Sequence, residues 1–455
     1  MASDAGAVAN APKQLLSVTD GIFLTVGMVI GVGIFKLPSL VAGNTASATE
    51  FLLAWLLGGA VSLCGALVYA ELAARHPETG GEYTFLARGL GAGAAFLFAW
   101  SRMTVIQTGA IVAVAFAFGD YASEILRLGE KSPAIWAAIG VAALTALNLA
   151  GTLQSKTLQK VMEIALIAAL VALALAALAA GGSPKPAAAG TGGGAFGLAM
   201  IFVLFTYGGW NEAAYLAGEV REARRNMMKI LVAGIVGVTA LYLLVNVGYL
   251  SALGLGGMRE SKAVGADVMR AIAGDKGATL LALIVCVSAL TTMNAAVFTG
   301  ARTTWAFGRD FAPFAKLGSW RESGSTPANA LLLQGAVMLV LVFAGSFTPD
   351  GFGAMVAYTA PVFWTFFLLT GLTLFRFRTR ERNQGTVVDG FRVPLYPVVP
   401  LVFCAMCLYM LWSSIDYIRN PVFGPKFGDM VLAGIVVMAA GIPLYFVARR
   451  KAPLQ

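Results

Sequence analysis

GMVIGVGIFKLP, from Gly27 to Pro38, is the stretch on which the fold depends. It lies in an apolar run long enough to cross a bilayer, yet it carries three glycines in seven residues and then a proline. Inside lipid an unpaired backbone N–H or C=O is costly, so helices are interrupted only where they face protein or a watery cavity. Small residues at four-residue spacing also suit close helix–helix contact, and taken alone the stretch admits both readings. A second interruption shifts the balance. The run GLAMIFVLFTYGGWNEAAYLAGEV, 197–220, is broken by Gly208-Gly209, with Asn211 and Glu212 just beyond. Adjacent glycines pack no better than one, but they release the chain from helical geometry.

The rest of the chain supplies the setting. Of its 455 residues 58% are hydrophobic and 12% charged, with mean hydropathy +0.78; a soluble chain of this length needs more charge to keep its surface wet. Crossing the hydrocarbon core takes roughly 20 apolar residues. About twelve such runs occur, over roughly 17–42, 50–74, 91–119, 133–150, 158–180, 196–218, 229–253, 278–306, 329–345, 352–376, 394–414 and 429–448. The expected fold class is therefore an all-α polytopic membrane protein of about 12 transmembrane helices. The interrupted runs are the first and sixth, the spacing produced by two five-helix inverted repeats that each open with a broken helix. The expected organisation is a cytoplasmic segment 1–16 and a single transmembrane domain 17–448, followed by a cytoplasmic tail 449–455. Within that domain the repeats cover about 17–180 and 196–376, and two extra helices cover about 394–448.

Charge placement sets the expected topology. When alternate loops are assigned to one side from the N-terminus, that side collects about 21 of the 32 Lys and Arg and the other about 9. The positive-inside rule then places both termini in the cytoplasm of a cell-membrane protein, so the formal charge of +9 is a topology signal and not a nucleic-acid footprint. The start lacks a basic n-region with a short apolar core, so the first segment is expected to be retained. Stretch 181–194 reads as a flexible external linker, and 254–276 as an amphipathic connection along the outer surface. The basic stretch 376–394 reads as a cytoplasmic topology anchor. Four cysteines, Cys64, Cys286, Cys404 and Cys407, sit in apolar runs, and the only histidine, His76, is in a loop. Packing accounts for them better than metal or redox chemistry, and no metal or cofactor is expected.

A helix broken at mid-depth gains a new N-terminus with free N–H groups and a new C-terminus with free carbonyls. The first holds a carboxylate and the second an ammonium. Two facing breaks thus make a site for a zwitterion, an amino acid, with Phe205, Tyr207 and Trp210 as candidate covers.

Those residues also resemble a known family, the amino acid–polyamine–organocation superfamily, and within it the L-type amino acid transporter branch and its bacterial relatives. The resemblance covers nearly the whole chain. It is carried by GxGIF in the first segment, ELAARHPETGGEYTFL at 71–86, FTYGGWNEAAYLAGEVREARRN at 205–226 and TTMNAAVFTGARTTWAFGRDF at 291–311. It implies ten helices in the five-plus-five repeat, two more at the end, and alternating-access transport of amino acids. Carried over, Gly31, Val32 and Gly33 receive the substrate carboxylate, while Ile30 and carbonyls around Phe205 and Gly208 take the ammonium. Phe205 falls at an aromatic gate, for which ordinary core packing is the plainer alternative, and Asn211 at a residue that steadies the unwound segment. The chain departs from the pattern at four places. Val32 replaces a serine, Leu166 aligns with a lysine that substitutes for a sodium ion in many relatives (Glu163 lies one turn away), and the external loop 119–133 lacks the cysteine that bonds a partner glycoprotein in animal members. Lys36 and Glu212 replace residues that are usually uncharged.

Ionisable groups at membrane depth are functional candidates by default. Lys36 and Glu212 each lie three residues past the last glycine of a break, which suggests that they pair or face each other and take part in substrate selection or proton coupling. Snorkelling of Lys36 to the interface is the structural alternative. Arg102 and Glu163 read as a tie between the third and fifth segments. With one acidic residue by the gate, a neutral amino acid is the expected substrate and a cationic amino acid or polyamine the alternative. A channel would carry a repeated filter or charge ring, and an enzyme a nucleophile–base pair or metal ligands at depth; neither pattern is present.

Overall fold

The structure, a computed structural model, describes residues 16–77, 80–151, 156–181, 196–321, 326–385, 390–419 and 425–451. The expected linker at 181–194 lies almost wholly outside them, as do the two termini. Every expected span falls on a helix. In chain order these are α1 (Val18–Val29), α2 (Gly33–Gly43), α3 (Ala48–Arg75), α4 (Gly81–Leu90), α5 (Ala92–Ser101), α6 (Gln107–Ile125), α7 (Ser132–Leu149) and α8 (Lys156–Ala180). They continue with α9 (Phe196–Thr206), α10 (Ala223–Glu260), α11 (Val264–Asp310), α12 (Ala328–Gly345), α13 (Gly351–Gln384), α14 (Val398–Arg419) and α15 (Pro425–Lys451). Among the described residues nine helices are long and apolar enough to cross a bilayer. The pair α1 and α2 makes one further span, bent by 51°.

The bend sits where the glycines predict it. A capping box starts α1, with Ser17 Oγ accepting from Asp20 N–H and the Asp20 carboxylate accepting from Ser17 N–H, which satisfies two otherwise orphaned donors. The helix ends at Ile30, whose ψ of 98° is extended, and α2 begins afresh at Gly33. Pro38 does not stop the helix: it lies inside α2, which runs on to Gly43. The sixth segment breaks after Thr206 and resumes as a 3-10 helix, Trp210–Glu219. Ten residues is long for that geometry. Gly209 has φ +108°, a conformation that glycine adopts without strain. The third segment is irregular as well: a π-helical turn, Arg102–Ile106, joins α5 to α6. The external connection begins and ends at two non-helical glycines, Gly254 in α10 and Gly274 in α11.

Both broken helices pack into one core. Helices α3 and α10 lie against each other, and α10 also contacts α1 and α2. Buried Tyr242 of α10 stands between the two breaks, its single hydroxyl hydrogen shared between Val29 O at 2.9 Å and Thr206 O at 3.1 Å. Those carbonyls end α1 and α9 and have no partner further along their own helices. At the far end of both elements Leu16 N–H donates to Glu219 O and Arg221 N–H to Leu16 O, each at 3.0 Å. The first and sixth segments are thus tied at the break and again at the end where α1 begins. Replacing Tyr242 with Phe strands two buried acceptors and is expected to destabilise the protein by about 1–3 kcal/mol. A thermal melt of the detergent-solubilised variant measures that loss.

Candidate functional site

The two breaks meet. A methyl group on Gly209 would stand 2.3 Å from Met28 O, and one on Gly33 would touch the Thr206 side chain at 3.4 Å. Nothing lies within 4 Å of the equivalent point on Gly31. Gly209 therefore seats one break against the other, while Gly31 faces open space. At the breaks Phe35 N–H donates to Val32 O at 3.1 Å and Gly208 N–H to Phe205 O at 3.0 Å, while the N–H groups that open α2 ahead of Phe35 and the end carbonyls of α1 and α9 lie beyond the regular helical ladder. They present a donor end and acceptor ends to the same space, with the partial charges of helix termini behind them.

That space is a cavity of about 1520 Å³. All seven residues expected to bind substrate line it: Ile30, Gly31, Val32, Gly33, Phe205, Gly208 and Asn211. The wall around them is largely apolar, with Ile106, Ala110, Val114, Ile201, Ala295 and Val356. From the breaks the cavity runs to the end of the bundle where α1 begins, marked by Leu16, Asp20, Glu219, Arg302 and Thr326. At the opposite end Phe205 meets Phe352 edge to face, with ring centroids 6.0 Å apart. Leu166, at the position aligned with the relatives' lysine, also lines the cavity.

Two of the aromatic candidates are not at the cavity. Tyr207 is buried against Trp55 and Tyr242, and its hydroxyl donates to Trp55 O at 3.1 Å. Trp210 packs on Tyr69 and Phe367 in the small space left by Gly65. Neither is among the lining residues, so the expectation that they cover the site is corrected: the regular helix ends at Thr206 and the chain turns at Gly209, so Tyr207 and Trp210 no longer follow helical spacing.

The expected pairing of Lys36 with Glu212 is corrected as well. Lys36 sits at the closed end, with its Nζ 2.9 Å from Asp120 Oδ2 and 3.6 Å from Asp350 Oδ1, and it donates to Lys262 O at 3.0 Å. This cluster joins α2 to α6 and to the residue that caps α13, since Asp350 Oδ2 also accepts from Gly353 N–H at 3.2 Å. Glu212 lies on the cavity wall and accepts from Arg102 at 3.0 and 2.9 Å. Arg102 also donates to Tyr215 Oη at 3.0 Å. Arg102 thus ties the third segment to the sixth. The side chain of Glu163 lies outside the described residues.

Several residues of the site carried little signal in the sequence. Tyr242 was one aromatic among many in an apolar run. Asp120 and Asp350 read as loop-end acids, although an acid just before GFG is a helix cap signal. Glu82, in the connection between the second and third spans, is buried on the cavity wall, where its Oε1 accepts from Asn211 Nδ2 at 2.8 Å and from Tyr69 Oη at 3.1 Å. Burial raises its carboxyl pKa above the ordinary range, and the nearby Glu212 charge raises it further, while Arg102 opposes the shift. In the basic stretch 376–394, Arg378 does not simply face water: it pairs with fully buried Glu71 at 2.6 Å.

Comparison with known proteins shows what the chain is similar to. A family model described as amino acid permease matches residues 16–440. The chain is 27% identical over 420 residues to the b(0,+)-type amino acid transporter 1 of Mus musculus, covering 89% of this chain and 83% of that one. It is 26% identical over 454 residues to the serine/threonine exchanger SteT of Bacillus subtilis (strain 168), covering 97% and 99%. It is 25% identical over 452 residues to the human large neutral amino acids transporter small subunit 2, covering 95% and 80%.

The two glycines are expected to respond differently to alanine. Gly209→Ala forces a methyl group into Met28 O at positive φ and should lower stability by about 1–3 kcal/mol or more. Gly31→Ala should leave the melting temperature nearly unchanged while abolishing the upward shift that bound amino acid produces. Parallel melts with and without ligand separate the two effects.

Proposed function

The chain belongs to the amino acid permease family, and from that premise we propose that it is a secondary-active carrier exchanging neutral L-amino acids across the cell membrane. The observation that carries this reading is the pair of facing helix breaks at the blind end of a cavity open at one end of the bundle. The N–H groups of Val32 and Gly33 and their neighbour Gly31 take the substrate carboxylate. Carbonyls at Ile30, Phe205 and Gly208 take the ammonium. These are helix termini, so fixed dipoles bind a zwitterion without burying a full protein charge. The family relatives point the same way, and they are named as transporters or exchangers of amino acids.

Preference for a neutral side chain follows from the wall. Ile106, Ala110, Val114 and Val356 offer no counter-ion, and Glu212, the acid that favoured a cationic substrate, is committed to Arg102. The remaining acid on the wall, Glu82, is buried and bonded to Asn211 and Tyr69, so it is not offered to a substrate side chain, and burying a second cation without such a counter-ion is costly. With both termini in the cytoplasm, as the positive-inside rule requires, the present form is inward-open. Lys36 with Asp120 and Asp350, and Phe205 with Phe352, close the outside. Alternating access then means separating α2 from α6 and α13 at that latch. The working unit is the membrane domain 17–448, with its five-plus-five repeat and two terminal helices. No disulfide-linked partner is part of this proposal, since loop 119–133 lacks the cysteine through which such a bond would form.

Counter-flow in proteoliposomes tests the carrier. Internal unlabelled substrate should accelerate entry of a labelled neutral amino acid several-fold, with saturation; a linear, non-saturating flux would favour a channel. The latch is tested separately in a protein whose native cysteines are replaced and Val356 is changed to Cys. Adding Lys36→Met should speed labelling by an impermeant thiol reagent from the outside several-fold, and an unchanged rate would remove Lys36 from the outer closure.

A further inference from the structure

Three ionisable side chains meet on the cavity wall beside the sixth-segment break. Arg102 donates from Nη2 to both oxygens of Glu212 and from Nη1 to the Tyr215 hydroxyl. Glu82 is left over. It is 2% exposed, and although Oε1 is bonded to Asn211 and Tyr69, its Oε2 is buried with no hydrogen-bond partner. Arg102 Nε is likewise buried and unbonded. With all three groups ionised the cluster carries one surplus negative charge. A buried carboxylate without its own counter-ion is costly, and binding a proton removes that cost.

Among the described residues no second cation is bonded to the cluster. Helix α3 contributes Tyr69, the 3-10 helix contributes Asn211, Glu212 and Tyr215, and the π turn contributes Arg102. Helix α13 contributes Thr370, beside Tyr69, and α5 has no charged residue. The basic side chains next along, Arg75 and Arg378, are paired with Glu71 and Glu381.

We propose that Glu82 is a proton-binding site of this carrier, loaded from the open end of the cavity and coupled to substrate through Asn211. The carboxylate takes a proton from cavity water, giving a cluster of zero net charge that can be sealed from solvent while the protein reorients. Exposure to the opposite side returns the proton to water. Without the proton the cluster is negative, and sealing it is opposed by desolvation. Asn211 makes the link: it is bonded to Glu82 and stands two residues from Gly209, so a shift of the sixth-segment break on binding an amino acid moves a partner of the carboxyl group. This rests on the carrier reading above.

The test is counter-flow exchange of a labelled neutral amino acid in proteoliposomes, over external and internal pH from about 5.5 to 8.5. If the protonated form is the one that reorients, the wild-type rate falls by up to roughly tenfold per pH unit on the alkaline limb, as for a single titrating group. In Glu82→Gln, a permanent mimic of the protonated acid, the rate becomes independent of pH. Glu82→Asp keeps the pH dependence with a displaced midpoint, and it serves as the readout if the glutamine variant does not fold. A flat wild-type profile with active exchange overturns the proton site and leaves the carrier standing, and so does a Gln variant that keeps the wild-type fall. If correctly folded wild type moves no amino acid at any pH, the carrier reading fails and this inference fails with it.

Discussion

One hydroxyl group holds the centre of this molecule together. Tyr242 reaches Val29 O and Thr206 O, the last carbonyls of two helices that stop at mid-depth. In an apolar medium a carbonyl without a partner is a liability that a continuous helix avoids by itself. A helix that breaks must find a donor elsewhere, and α10 supplies it for both breaks at once. The chain can then leave the next peptide groups bare. Gly209, in a backbone conformation closed to other residues, lets the two breaks close to contact at Met28. The cavity, its dipolar lining and the proposed zwitterion site all follow from that arrangement.

The charged residues near the breaks fall into two groups, one beyond the closed end and one on the wall beside the sixth-segment break. Lys36, Asp120 and Asp350 join three elements beyond the closed end, and Arg102, Glu212 and Glu82 stand toward the open one. Between them the wall is small and apolar. Such a division suits a substrate whose charges meet backbone dipoles while its side chain meets hydrocarbon. It also lets the two clusters respond to movement of α2 and of the sixth segment without competing for the ligand. The π turn at Arg102 shows how the third segment serves that end: an extra residue in the turn re-aims a side chain that regular spacing would have placed elsewhere.

Much of the architecture was legible in advance. Periodic apolar runs located the membrane spans, and paired glycines located both breaks, because each depends on local composition alone. Partners were not legible. Lys36 and Glu212 stand at matching offsets from their glycines, and that symmetry suggested a pair. The breaks instead send the two residues toward opposite ends of the cavity, so Lys36 meets Asp120 and Glu212 meets Arg102. Tyr207 and Trp210 misled for a related reason. Helical spacing says nothing about direction once a residue has left helical geometry, and both turn into the packing around α3.

Residue order by itself determined that this is a helical membrane protein with its first and sixth spans interrupted, since hydropathy and glycine placement act over a few turns of chain. Family membership was also written there, in motifs spread from the first segment to the eighth. Tertiary structure alone decided which groups meet. Tyr242 lies far along the chain from Val29, Glu82 is similarly remote from Asn211, and so is Asp350 from Lys36. Hydrogen bonds and ion pairs act over a few ångströms, and only the folded path of the chain brings such residues that close.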